Sequence, residues 1–181
     1  MKLHPLTKLV SQLSHPVLIF PVCIILLFGV EQAWVPLVVV LGLSFGLPFL
    51  FFLWLFFSKK ISDFDVSQRK QRYPLYAFCL LGMMTSLAFL YFSESTFLFY
   101  EFLRLLLLAV VIVCVNFKIK VSVHTAMVSI LTILLVGYYE WSPWIFLIIP
   151  IVAASRLILK RHSWLEVALG VLLPFLFYFI R

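Results

Sequence analysis

The chain has 181 residues, of which 65% are hydrophobic and 12% charged, and its mean hydropathy is +1.17. This composition excludes a water-soluble globular domain, which has no means of burying so much apolar surface. The net charge of +7 comes from cations in short segments between apolar runs, so it indicates membrane topology and anionic headgroups rather than nucleic-acid binding. Because the apolar runs are continuous rather than alternating, they predict membrane helices and not a β-barrel.

The apolar runs set the order of the predicted elements. A mildly basic lead-in over residues 1–15 contains His4 and His15, which we expect at the headgroup level without a chemical role. Seven apolar runs follow, at about 16–30, 34–57, 74–92, 97–117, 121–139, 144–158 and 164–180. We expect an all-α, polytopic membrane helical bundle with about six transmembrane helices, the short first run being interfacial or only partly inserted. We expect a single domain over residues 1–181.

Three local features refine this prediction. A kink is expected near Pro48, and Pro74 occupies the early-helix position that proline favours. Glu101 and Arg104 are three residues apart, so they can pair on one helix face. For this pair, a salt bridge near the membrane edge is favoured over a role in a site.

Three polar segments separate these runs at residues 58–73, 117–124 and 155–166. In the first, the apolar side chains of Ile61, Phe64 and Val66 predict a stretch lying on the membrane surface. Two spans separate each polar segment from the next, and an even number of crossings returns the chain to the same face. The turns on the opposite face contain acids and no Lys or Arg.

The shared face therefore gathers most of the cations and two histidines of the chain. They are Lys59, Lys60, Arg69, Lys70, Arg72, Lys118, Lys120, Arg156, Lys160, Arg161, His124 and His162. The positive-inside rule accounts for Lys and Arg on a cytoplasmic face. It does not account for two histidines at helix openings, each accompanied by Ser and a cation, so we expect a functional site here.

These residue types suit phosphoryl transfer. A phosphate needs fixed cations and hydroxyl or backbone donors, and Arg is preferred for bidentate contact. Residues that can form such a cradle are Arg156, Arg69 or Arg72, Lys120 and Ser122. The helix opening near His124 adds free N–H groups and a positive dipole end.

Two histidines can complete the reaction, one attacking phosphorus and the other donating a proton to the leaving oxygen. Glu166 lies four residues after His162 and is placed to orient its ring. Two His and one Glu are also plausible zinc ligands. The surrounding cations oppose metal binding, so we expect a reaction that needs no metal or other cofactor.

The polar segments resemble the motifs of a known family, the type 2 phosphatidic acid phosphatases or lipid phosphate phosphatases. Ser155-Arg156, five residues, His162, three residues and Glu166 resemble the third motif, Ser-Arg-x5-His-x3-Asp. Ser122-Val-His124 looks like the second, Pro-Ser-Gly-His, and Arg72-Tyr-Pro74 resembles the end of the first, Lys-x6-Arg-Pro. The motif core covers about residues 55–170.

The resemblance implies a role for each matching position. His162 would be the nucleophile that forms a phosphohistidine, Glu166 its orienting carboxylate and His124 the general acid. Ser122, Arg156 and Arg72 would hold the phosphate, and no metal is needed. Where the first motif has its Lys, this chain has Asp65. The positive charge of that Lys would therefore be supplied by Lys60, Arg69 or Lys120.

We therefore expect an integral-membrane phosphatase that hydrolyses a lipid-linked phosphate monoester or diphosphate of the phosphatidate, phosphatidylglycerol phosphate or polyprenyl phosphate type. Its partners are the bilayer and the lipid phosphate within it, without nucleic acid. The alternative is a non-catalytic membrane protein of the same fold that binds anionic lipid or scaffolds partners. We expect a multi-pass protein of a bacterial inner or plasma membrane, with the active-site face in the cytoplasm.

Overall fold

The computed structural model describes residues 5–64, 66, 68–93 and 95–179, which confirm the predicted all-α class and contain no strand. The helices are α1 (Pro5–Leu13), α2 (Pro16–Val30), α3 (Trp34–Phe57), α4 (Tyr73–Tyr91), α5 (Thr96–Asn116), α6 (Val123–Tyr139), α7 (Ile148–Ile158) and α8 (Trp164–Phe179). Single 3₁₀ turns at Arg69–Arg72 and Pro143–Leu147 precede α4 and α7. The helix bounds follow the predicted apolar runs closely.

Length and apolar composition separate the helices into two groups. Three described spans are long and apolar enough to cross a membrane: Trp34–Phe57, Arg69–Tyr91 and Thr96–Asn116. The bent pair α1 and α2 makes a fourth if it is counted as one span broken by 41°. The remaining apolar helices are shorter, and the 17 residues of α6 rise only about 25 Å against a hydrocarbon core of about 30 Å. The helices are compatible with a membrane protein, but six spans are not confirmed.

The chain divides into two compact units, and each is described by itself. The first unit contains residues 5–26 and 117–179, and the second contains residues 27–116. In the first unit, α1 packs against α7, and α6 packs against both α7 and α8. The core between these helices is apolar and consists of Val128, Ile149 and Val152, with Val10, Ile19, Phe146, Val171 and Phe175 around it. The single domain expected over residues 1–181 stays a prediction.

In the second unit, α4 packs against α3 and α5. A π-helical turn over Gly42–Gly46 interrupts α3 just before Pro48, where the sequence predicts a kink. Gly82 on α4 approaches this turn so closely that an added Cβ would lie 2.3 Å from the carbonyl oxygen of Leu43. Close backbone contact at a small residue is typical of helix pairs in membranes.

Two further predictions are confirmed in the second unit. Pro74 is the second residue of α4, and Arg104 forms an ion pair with Glu101 at 2.5 Å. In the first polar segment, Ile61 and Val66 are buried against apolar side chains of α3. The position of this segment on a membrane surface stays a prediction.

Candidate functional site

The predicted site residues fall into both units of the chain. His162, Glu166, His124, Arg156, Ser122 and Lys120 belong to the first unit, whereas Lys60, Arg69 and Arg72 belong to the second. Each group is described within its own unit.

A tight turn at the end of α7 positions His162. The N–H of Lys160 donates to the carbonyl of Leu157 at 2.9 Å, and the N–H of Arg161 donates to the carbonyl of Arg156 at 3.0 Å. These two bonds, with Lys160 in the left-handed region at φ 53°, form a Schellman motif. The turn reverses the chain between the buried Arg156 on α7 and His162 just before α8.

His162 is fixed by the carboxylate that the sequence predicts. Its Nδ1 lies 2.7 Å from Oε2 of Glu166, and only 2% of its side chain is exposed. A carboxylate accepts hydrogen bonds and cannot donate them, so Nδ1 carries the proton. In the neutral ring the lone pair is then on Nε2, which is the arrangement that a nucleophilic imidazole requires.

Glu166 also has a structural role that the sequence analysis missed. The N–H of Ser163 donates to Oε2 of Glu166 at 3.3 Å, and the N–H of Glu166 donates to the hydroxyl of Ser163 at 3.4 Å. This reciprocal pair is a capping box at the start of α8, and its Ser-x-x-Glu pattern is readable in the sequence. The box holds the carboxylate in place beside His162.

The opening of α6 lies next to this helix start. The N–H of Ser122 donates to the carbonyl of Glu166 at 3.0 Å. Ser122 occupies the N-cap position, yet its hydroxyl makes no capping bond. The Oγ atom is buried and has no hydrogen-bond partner among the described residues. A buried hydroxyl left over at a helix opening suits an anion.

A glycine lets the two helices meet here. A Cβ added to Gly170 of α8 would lie 2.2 Å from Oγ1 of Thr125 and 2.5 Å from the carbonyl oxygen of Ser122. Any larger residue pushes α8 away from the opening of α6. Nothing in the motif spacing singles out Gly170 for this role.

Lys120 is tethered to the same part of the chain. Its Nζ donates to the carbonyl of Arg161 at 3.1 Å, which links the segment before α6 to the turn after α7. Three hydrogen bonds thus connect the end of α7 with the starts of α6 and α8 within one unit. They run from Arg161 to Arg156, from Lys120 to Arg161 and from Ser122 to Glu166.

Two residues of the N-terminal segment join this site unexpectedly. Arg156 donates a hydrogen bond through NH1 to the hydroxyl of Ser11. The ring of His15 packs edge-to-face against that of His124, with centroids 5.1 Å apart. The expectation that His15 lies at the headgroup level without a chemical role stays a prediction, and the fold adds to it a contact between its ring and that of His124. His4 lies outside the described residues.

The second unit fixes one of its three predicted cations firmly. Arg72 is buried, and its Nε donates to the carbonyl of Val66 at 2.8 Å. Lys60 places its Nζ 4.3 Å from the centre of the Trp54 ring, a cation–π contact, and Arg69 is exposed in the 3₁₀ turn. Asp65 lies outside the described residues.

The described residues contain no group of three or more His, Cys, Asp or Glu able to hold a metal ion. In comparisons with known proteins, no family model, no curated protein and no solved structure matches the chain.

Proposed function

We propose that this chain is an integral-membrane phosphatase that hydrolyses a lipid-linked phosphate monoester or diphosphate through a phosphohistidine. The observation that supports this most is the bond of 2.7 Å between Nδ1 of His162 and Glu166. Ser122, whose buried hydroxyl has no partner among the described residues, donates its N–H to the carbonyl of the same Glu166. A histidine whose Nδ1 is held by a carboxylate, on a segment hydrogen-bonded to a helix opening that suits an anion, has the parts of a phosphoryl-transfer site.

In the first step, Nε2 of His162 attacks phosphorus, and the bond from phosphorus to the ester oxygen breaks. The ester oxygen takes a proton from His124 and leaves as the lipid alcohol, or as the shorter lipid phosphate when the substrate is a diphosphate. Arg156, Ser122 and the first N–H groups of α6 stabilise the phosphoryl oxygens. Glu166 stabilises the positive charge that develops on the imidazole of His162.

In the second step, water attacks the phosphohistidine. His124, now neutral, accepts a proton from the water as the bond between nitrogen and phosphorus breaks. Inorganic phosphate leaves, and both histidines return to their starting states. Neither step needs a metal or another cofactor.

The lipid chain of the substrate would stay in the bilayer while its headgroup enters the site. We propose about six membrane-spanning helices, with α6, α7 with its preceding 3₁₀ turn, and α8 crossing despite their short length. Hydrophobic mismatch of a few Å costs only fractions of a kcal/mol per Å and is met by local bilayer thinning. The phosphate-binding roles that the resemblance implies for Arg72, Lys60 and Arg69, and a cytoplasmic active-site face, stay predictions.

The test is phosphate release from a panel of lipid phosphates in mixed micelles, including phosphatidate, phosphatidylglycerol phosphate and polyprenyl diphosphate. His162→Ala is expected to abolish release, while the matched control Lys118→Ala, which removes an exposed cation next to the site, keeps it. If the protein is instead a non-catalytic binder of anionic lipid, wild type and His162→Ala give the same release. Equal phosphate release by the two proteins would contradict the enzymatic proposal.

A further inference from the structure

The N-terminal helix pair contacts two of the proposed site residues through separate interactions. Ser11 of α1 is buried, and its hydroxyl accepts a hydrogen bond from NH1 of Arg156. His15, which joins α1 to α2, packs its ring against His124. These two contacts bring together residues far apart in the chain, Ser11 and Arg156 being separated by 145 positions.

The ring of His15 is held in one orientation by the start of α2. The N–H of Val17 donates to Nδ1 of His15 at 3.3 Å, so His15 caps this helix with its side chain. Its carbonyl also accepts from the N–H groups of Leu18 and Ile19, at 2.8 and 3.1 Å. Because Nδ1 accepts this hydrogen bond, the ring is anchored to the start of α2 through that nitrogen.

The edge-to-face contact with His15 restricts the orientation of the His124 ring. Aromatic pairs in this geometry have a preferred mutual angle, here 86° between the ring planes of His15 and His124. His124 is buried at the first turn of α6, so a ring packed on it restricts the directions in which its nitrogens point. The hydrogen bond to Ser11 likewise restricts the orientation of the Arg156 guanidinium.

We propose that His15 and Ser11 are positioning residues of the phosphatase site, His15 orienting the general acid His124 and Ser11 orienting the phosphate-binding Arg156. This inference rests on the proposed function for its kinetic part. The N-terminal segment is then one wall of the site and not a lead-in at the membrane surface.

We expect variants at the two contacts to change different kinetic parameters, which distinguishes a positioning role from a general loss of structure. His15→Asn keeps a side chain able to cap α2 but removes the ring, so kcat falls about tenfold with KM nearly unchanged. Ser11→Ala loosens the residue that binds phosphate, so KM rises about tenfold, and Ser11→Thr restores it. Gln12→Ala, an exposed neighbour on α1, is the matched control and behaves as wild type.

A second measurement tests the contact between His15 and His124 without requiring catalytic turnover. Carbethoxylation of His124 by diethyl pyrocarbonate is followed by mass spectrometry in wild type, His15→Asn and His15→Phe. Removing the ring is expected to speed the modification of His124 severalfold, whereas Phe, which keeps an aromatic ring there, leaves the rate near that of wild type. Equal rates in all three proteins, or the same increase in both variants, overturn the positioning role.

The two measurements also separate the two proposals. If wild type releases no phosphate from any lipid yet the carbethoxylation rates differ as expected, the proposed function fails and the ring contact stands. If wild type is active but His15→Asn and Ser11→Ala change neither kcat nor KM, the positioning proposal fails and the function stands.

Discussion

Gly170 offers the sharpest test of how the site is built, because its replacement by Ala puts one methyl group into the contact between α6 and α8. The new Cβ would lie 2.5 Å from the carbonyl oxygen of Ser122, where ordinary contact begins at 3.4 Å. Thr125 is closer still, at 2.2 Å, but its side chain can rotate. The Ser122 carbonyl is backbone at a helix opening, so relief requires α8 to move by about 1 Å.

The magnitude of the effect follows from this displacement. Overpacking of this kind lowers the free energy of unfolding by about 1–3 kcal/mol. Because Glu166 lies one turn before Gly170 on α8, the same movement shifts the carboxylate and its histidine relative to Ser122. A misplacement of about 1 Å in a catalytic group reduces turnover by about 100-fold. We therefore expect Gly170→Ala to lose activity well below its unfolding temperature.

The assay pairs thermal unfolding in detergent with phosphate release from a lipid phosphate. Gly137→Ala is the matched control, because a Cβ there meets no atom within 4 Å on a helix of the same unit. It is expected to stabilise the protein by about 0.5–1 kcal/mol through helix propensity and to leave activity intact. If Gly170→Ala behaves like Gly137→Ala in both measurements, the described approach of α8 to Ser122 is wrong.

Three further predictions test single contacts. Glu166→Gln keeps the capping box but removes the charge beside His162, the proposed nucleophile, so we expect phosphate release to fall about 100-fold. Ser163→Ala is expected to cost about 1 kcal/mol of stability and to spare most activity, and similar activity losses in both variants would contradict separate roles. Lys160→Val, which forces a branched residue into the left-handed region, unfolds at a lower temperature than Lys160→Gly, and the reverse order would exclude the Schellman turn. Arg104→Ala leaves the buried Glu101 without its ion-pair partner, so we expect it to lower the free energy of unfolding by about 2–3 kcal/mol. The double variant Glu101→Ala/Arg104→Ala is expected to lose less, and chemical denaturation of both proteins measures the difference.

The helices were predictable from the sequence because apolar runs bounded by polar residues fix where a membrane helix begins and ends. The bounds of α2 and α3 match the predicted runs to the residue. The contact between His162 and Glu166 was predicted from residues four apart sharing a helix face, but His162 lies just before α8, and the capping box with Ser163 places the carboxylate beside it. The capping box of Ser163 was readable too, from its spacing alone.

Contacts between distant residues were not predictable. Nothing in the pattern around His15 or Ser11 indicates that they meet His124 and Arg156, because the packing of α1 against α7 determines it. The burial of Ile61 likewise follows from the chain folding back on α3, which periodicity does not reveal. Whether the shorter helices cross a membrane depends on the bilayer as well as on their 16 or 17 residues.

The central claim is that His162 becomes covalently phosphorylated, and trapping that intermediate tests it most directly. Wild type is mixed with a lipid labelled in its phosphate, quenched in alkali within milliseconds and analysed for labelled peptides, since phosphohistidine survives alkali and is lost in acid. We expect an acid-labile label on the peptide containing His162 in the wild type and no label in His162→Ala. Phosphate release without any label on His162, or an undiminished label in His162→Ala, would contradict it.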